Sequence, residues 1–139
     1  MVVGVPKEIK PDEKRVALLP HLVRPIIELG HSVVIQKGAG KESGFSDTLY
    51  SSEGATIVDK IDDIYNSSDL IIKVKEPLDI EVDMIKDSQV VFTFFHFAAY
   101  TDLLEKFLKK NAIAIAYETV EDEKGALPLL TPMSEVAGR

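Results

Sequence analysis

Three clusters of ionisable residues stand directly behind apolar runs in this sequence, and each holds a side chain able to bind an anion or carry a proton. Lys7, Glu8, Lys10, Lys14 and Arg15 follow VVGVP, Lys73, Lys75 and Glu76 close LIIKVKE, and His96 interrupts FFHFAAY. A lysine near the end of a buried strand either extends its ammonium to water or holds an anion, because burying it unpartnered is costly. Lys73 and Lys75 lie two apart, so in a continuous strand both point to the same side. By residue type alone His96 is a catalyst or, more commonly in an aromatic run, a satisfied core histidine. Lys7, Lys10 and Lys14 read as a solvated charged loop. His21 and His31 flank a helix and read as surface residues.

Positioning these side chains requires a frame, and the flanking segments supply one. Residues 2–6, 32–36, 70–74, 90–94 and 113–117 are short, nearly continuous apolar runs rich in β-branched or aromatic types, the pattern of strands buried on both faces. Residues 55–58 add a short further strand. Helical spacing falls between them, at 21–29 closed by Gly30, 46–53 closed by Gly54, 62–66, 80–85, and 101–110 with Thr101 as its cap. Pro25 costs its helix a hydrogen bond unless it sits in the first turn, so that helix starts late or kinks. The alternation predicts an α/β fold with a doubly wound, mainly parallel sheet and helices on both faces, Rossmann-like or flavodoxin-like. Ligands of such sheets bind beyond the carboxyl ends of the strands, where all three clusters fall.

Composition narrows the function classes. A chain of 139 residues, 45% of them hydrophobic, is the size of one domain with a filled core. With 23 acidic against 16 basic residues and a net charge of −7, it has no basic field for nucleic acid or anionic lipid. No cysteine is present, which removes disulfides, thiolate metal sites and cysteine nucleophiles, and no metal site is predicted. No run approaches the roughly 20 apolar residues of a membrane span, and the start lacks a secretory pattern, so a soluble cytoplasmic protein is expected.

Two further segments bear on organisation. Gly38, Gly40 and Gly44 in GAGKESG follow a strand, but their spacing is neither that of a dinucleotide loop nor that of a P-loop, and Ser46 and Asp47 then read as a helix cap. The final residues, LPLLTPMSEVAGR, read as the opening of a helix, capped by Thr131 or Ser134 with Pro132 in its first turn. The expected organisation is one incomplete domain over 1–130, and over 131–139 the start of a helix leading into a second domain of a longer enzyme.

The blocks VGVPKEIK, RVAL, GAGKESGFSD, KVKEP, FTFFHFAA and AYETVEDEKGALPLLTPMSEVAGR, in this order along the whole chain, resemble the N-terminal substrate domain of the alanine dehydrogenase family. The related nicotinamide nucleotide transhydrogenase alpha subunits match less well, because Lys75 and His96 both stand where those usually lack them. The resemblance implies reversible, NAD-dependent conversion of L-alanine to pyruvate and ammonium. It implies that Arg15 and Lys75 bind the substrate carboxylate and carbonyl oxygen and that His96 is the general acid and base. It also implies that Glu118 supports the pocket from behind and that Met133 and Ser134 lie at the domain junction, Ser134 touching the nicotinamide cofactor. NAD is then bound mainly by a domain these residues lack, the full-length enzyme is a homo-oligomer, a hexamer in the family, and residues 1–139 alone do not transfer hydride. The alternatives are a transhydrogenase-like subunit and a free-standing small-anion-binding module without catalysis.

Overall fold

Each apolar run pairs with its neighbours in parallel. In a computed structural model, which describes residues 1–138, six strands form one sheet: β1 (Val2–Val5), β2 (Ser32–Gln36), β3 (Thr56–Val58), β4 (Leu70–Ile72), β5 (Val90–Thr93) and β6 (Ile113–Ala116). Their order is β3-β2-β1-β4-β5-β6, with every adjacent pair parallel. The winding reverses between β1 and β4, so the loops leaving these two strands open a crevice at the carboxyl edge of the sheet. Most strands end one or two residues before the apolar pattern does. At β1 the reason is plain, since Pro6 has no N–H for the ladder.

Helices α1 (Val23–Glu28), α2 (Asp47–Ser52), α3 (Ile61–Ser67), α4 (Asp79–Met84) and α5 (Thr101–Leu108) alternate with the strands, and α6 (Thr131–Ala137) follows β6. A 3-10 turn at Pro20–Leu22 delays α1 until Val23. Pro25 thereby falls in the first turn, where no intrahelical N–H is needed. Ser46 caps α2, its hydroxyl accepting the Leu49 N–H at 3.4 Å. Thr101 and Thr131 are not caps. They are the first helical residues, behind Tyr100 and Leu130, neither of which makes a side-chain cap bond.

Alternation along β2 sorts the core into two layers. Val33 and Ile35 pack with Val3, Val5, Leu18, Val23 and Tyr50, beside α1 and α2, while Val34 packs with Ile64, Ile71, Val91, Phe95 and Phe107, beside α3 to α5. Gly40 and the loop around it serve this packing. A Cβ there would stand 2.8 Å from the Tyr50 ring, the Gly38 N–H is donated to Asp47 Oδ1 at 2.8 Å, and the Tyr50 hydroxyl, its pKa pushed up to about 12 by burial, is donated to the Leu18 carbonyl at 2.8 Å. β6 departs from the expected two-sided burial. Ile113 and Ile115 are 52% and 41% exposed, because β6 is an edge strand followed by a 3-10 turn (Tyr117–Thr119) and a loop instead of a covering helix.

The closest approach between layers is at Gly4, where an added Cβ would lie 2.1 Å from Ser68 Oγ and 2.9 Å from Ser68 Cβ, both on a side chain with almost no exposure. Gly4→Ala is therefore expected to destabilise the domain by about 1–3 kcal/mol, the usual cost of overpacking. Denaturant unfolding measures it, and a midpoint equal to wild type would show that the end of α3 can yield.

Candidate active site

The crevice between β1 and β4 is built around a buried charge cluster. Pro6 ends β1, and the chain turns so that Glu8 points inward, buried beneath the loop. One Glu8 carboxylate oxygen accepts the Val74 N–H at 2.7 Å and the other accepts from Lys73 Nζ at 3.1 Å. Lys73 Nζ also lies 2.7 Å from Glu81 Oε1 on α4, and all three side chains are almost wholly excluded from solvent. Glu81 Oε2 accepts the Leu78 N–H at 2.9 Å, and the Tyr65 hydroxyl is donated to Glu81 Oε1 at 3.4 Å. Two carboxylates thus share one ammonium. Burial pushes the Glu8 carboxyl above the ordinary range against the opposing pull of Lys73, and burial also pushes the Tyr65 phenol well up. Because β4 ends at Ile72, strand parity does not hold Lys73 and Lys75 together: Lys73 turns into this cluster, while Lys75 lines the cavity above it.

Above the cluster lies a cavity of about 290 Å³ lined by Arg15, Lys75, Phe94, His96, Leu130, Met133, Ser134 and Ala137. Five residues singled out from sequence therefore meet in one place. Arg15 comes from the loop after β1, and its Nε and Nη2 donate to Glu13 at 2.8 and 2.6 Å. That pairing raises the guanidinium pKa and holds the Glu13 carboxyl below its ordinary value. It also fixes one edge of the guanidinium and leaves its other donors for a ligand. Lys75 comes from the loop after β4, Met133 and Ser134 from α6.

His96 follows β5 in a left-handed backbone conformation, φ 52°. Its side chain is exposed, its ring stacks near Phe94 with centroids 5.9 Å apart and planes 11° from parallel, and its carbonyl accepts N–H bonds from Ala99 and Tyr100. Glu118, just past β6, does not line the cavity. Its two oxygens accept the backbone N–H groups of His96 at 2.6 Å and Phe95 at 3.3 Å, so it clasps the turn that presents the imidazole. The fold thus places His96 on a surface turn and not in the core.

Lys10 is not simply solvated. It pairs with the buried Glu76 and lies 5.4 Å from the centre of the Tyr100 ring. Lys7 and Lys14 are exposed, in keeping with a charged loop. Sequence reasoning missed Glu8, Glu13, Lys73 and Glu81 as partners. Only Glu13, two residues before Arg15, carried a local signal. A larger cavity of about 550 Å³, between the starts of α4 and α5, shares none of the five residues. Among the described residues, no group of three or more His, Asp or Glu side chains converges as for a metal ion, and no helix is long and apolar enough to cross a membrane.

The chain is similar to known proteins over its full length. It is 46% identical to an alanine dehydrogenase of Methanococcus maripaludis and 47% identical to one of Bacillus subtilis, in each case over 100% of this chain and 37% and 36% of the relative. A solved L-alanine dehydrogenase superposes with a TM-score of 0.95 at 47% identity, covering 100% of this chain and 38% of that one. The transhydrogenase structure from Sinorhizobium meliloti gives 0.80 at 26% identity, over 85% of this chain and 35% of that one. The chain thus spans little more than a third of the length of its relatives, and the family profile described as alanine dehydrogenase/PNT, N-terminal domain, matches residues 4–137. On that match the chain belongs to the alanine dehydrogenase/PNT family, through the family's N-terminal domain.

Proposed function

We propose that residues 1–130 form the substrate domain of an NAD-dependent L-alanine dehydrogenase, and that 131–139 begin the connection to its nucleotide-binding part. The reaction is L-alanine, water and NAD+ to pyruvate, ammonium, NADH and a proton, run in either direction. The observation that carries this reading is the meeting of Arg15, Lys75 and His96 in one cavity with Met133 and Ser134.

Arg15, oriented by Glu13, offers paired donors to the substrate carboxylate. Lys75 places a mobile positive charge at the substrate oxygen, polarising the carbonyl when ammonia attacks pyruvate. His96 takes the proton from water as it adds in the oxidative direction, and returns one to the leaving oxygen of the carbinolamine in the reductive direction. Glu118 holds the His96 turn by its backbone and does not touch the reacting atoms. NAD+ supplies the hydride acceptor when bound. Met133 and the exposed Ser134 fit one edge of such a cofactor, an apolar surface with an adjoining hydroxyl, so we assign most of its binding to parts of the full-length protein outside these residues. Homo-oligomeric, hexameric assembly and a cytoplasmic location are assigned to that protein on the same resemblance.

The test is alanine-dependent NADH formation by the full-length protein, with Arg15→Ala and Lys75→Ala as probes. A charge-assisted hydrogen bond contributes about 1.5–3 kcal/mol, so each substitution is expected to raise the KM for pyruvate roughly 10- to 100-fold. No alanine- or pyruvate-dependent turnover, or unchanged KM values, would overturn the reading.

A further inference from the structure

Two chain segments carry the cationic ligands of the cavity, and they are far apart in sequence. Arg15 stands in the loop after β1 and Lys75 in the loop after β4, on opposite sides of the point where the sheet reverses its winding. Neither loop is tied to the other by the sheet ladder beyond Gly4 and Ile71. Two side chains of the first loop span the gap: Lys10 pairs with Glu76, beyond Lys75, and Glu8 holds the chain directly before it. Glu8, seven residues before Arg15, gives one oxygen to the Val74 N–H, directly before Lys75, and the other to Lys73 Nζ, which Glu81 fixes from α4.

We propose that Glu8 is a positioning residue of the substrate pocket, setting the distance between Arg15 and Lys75 by clamping the first loop onto the second. This rests on the reading of Arg15 and Lys75 as the carboxylate-binding pair. The clamp depends on the reach of the Glu8 side chain more than on its charge. A glutamine of the same length has one acceptor oxygen: it keeps the Val74 N–H bond, which joins the two loops, and gives up the bond to Lys73, whose ammonium Glu81 still holds. A shorter carboxylate keeps the charge but cannot reach both partners from the same backbone position.

The experiment compares Glu8→Gln and Glu8→Asp in the full-length enzyme, with Arg15→Ala as the control for the pocket. Glu8→Gln is expected to hold the KM for pyruvate within about threefold of wild type. Glu8→Asp is expected to raise it roughly tenfold, the effect of losing one charged hydrogen bond, while the KM for NADH stays unchanged. The reverse order, with Asp like wild type and Gln impaired, would assign Glu8 a charge role and overturn the proposal. Wild-type KM values in both variants, while Arg15→Ala still raises KM, would also overturn it and leave the pocket reading intact. If Arg15→Ala has no effect, the pocket reading fails and the clamp falls with it. Should Glu8→Asp not fold, Glu8→Ala, which keeps neither bond, takes its place: a folded variant with the KM for pyruvate raised at least roughly tenfold and the KM for NADH unchanged supports the proposal, and a wild-type KM overturns it.

Discussion

Replacing His96 with alanine in the full-length protein is expected to lower the turnover number about 10²- to 10⁴-fold, the usual contribution of a general acid and base, with little effect on folding. The separation of the two effects follows from where the residue sits. The imidazole is exposed, and no side-chain hydrogen bond to it is present among the described residues, so its removal opens no cavity and orphans no buried group. The backbone is what the fold invests in. At φ 52° a residue other than glycine occupies a sparsely populated region, and such positions cluster at functional sites because the surroundings must over-determine them. Here the surroundings are the Glu118 carboxylate on the His96 N–H and the Ala99 and Tyr100 N–H groups on its carbonyl. A position selected for turn geometry alone is best filled by glycine. His96→Gly should then fold at least as well as wild type and be as inactive as the alanine variant. Steady-state assays and melting curves on both variants decide the matter: retained turnover would reduce His96 to a turn residue, and loss of folding would remove the catalytic interpretation of any lost activity.

The same contrast marks what sequence could and could not reveal. Apolar runs located the strands, β3 only as a short addition, because the central strands of a parallel sheet are buried on both faces, and Pro25 announced the late start of α1. The strand ends were less legible. The runs at Val74, Phe94 and Tyr117 continue in apolar character past the regular ladder, since those residues pack around the crevice where the pairing becomes irregular or ends. That displacement hid the separate fates of Lys73 and Lys75. β6 reads as a buried strand by composition, and nothing in its own residues says whether a cover lies within these 139 positions. Arg15, Lys75 and His96 were visible as residue types behind strands, although their roles came from the family resemblance. Their supports were not visible. Glu8 and Lys73 are 65 residues apart and Glu118 lies 22 beyond His96, so these contacts exist only once the sheet has brought the strand ends together.

Lys73→Met is expected to be the most destabilising single change in the domain, at about 3–5 kcal/mol, because it strips the shared cation from two buried carboxylates. Set against a total stability of about 5–15 kcal/mol, that is a large fraction. The deficit should also depend on pH, with a sign fixed by Glu8. Burial raises the folded-state pKa of Glu8 above its ordinary 4.5, and Lys73 is the foremost influence opposing that rise. A carboxyl with a raised folded pKa contributes its stability fully below about 4.5 and loses it as pH climbs through the raised value, since the folded state then holds the extra proton. Removing Lys73 raises Glu8 further and enlarges what is lost. Urea midpoints of the 139-residue chain should therefore show a modest deficit for Lys73→Met near pH 5 and a larger one near pH 8. Adding Glu81→Gln should recover part of the loss, because the amide removes one charge while keeping an acceptor for the Leu78 N–H. A deficit that is constant across this range, or that grows toward acid, would mean that Lys73 contributes by packing its methylenes and not by balancing the two carboxylates.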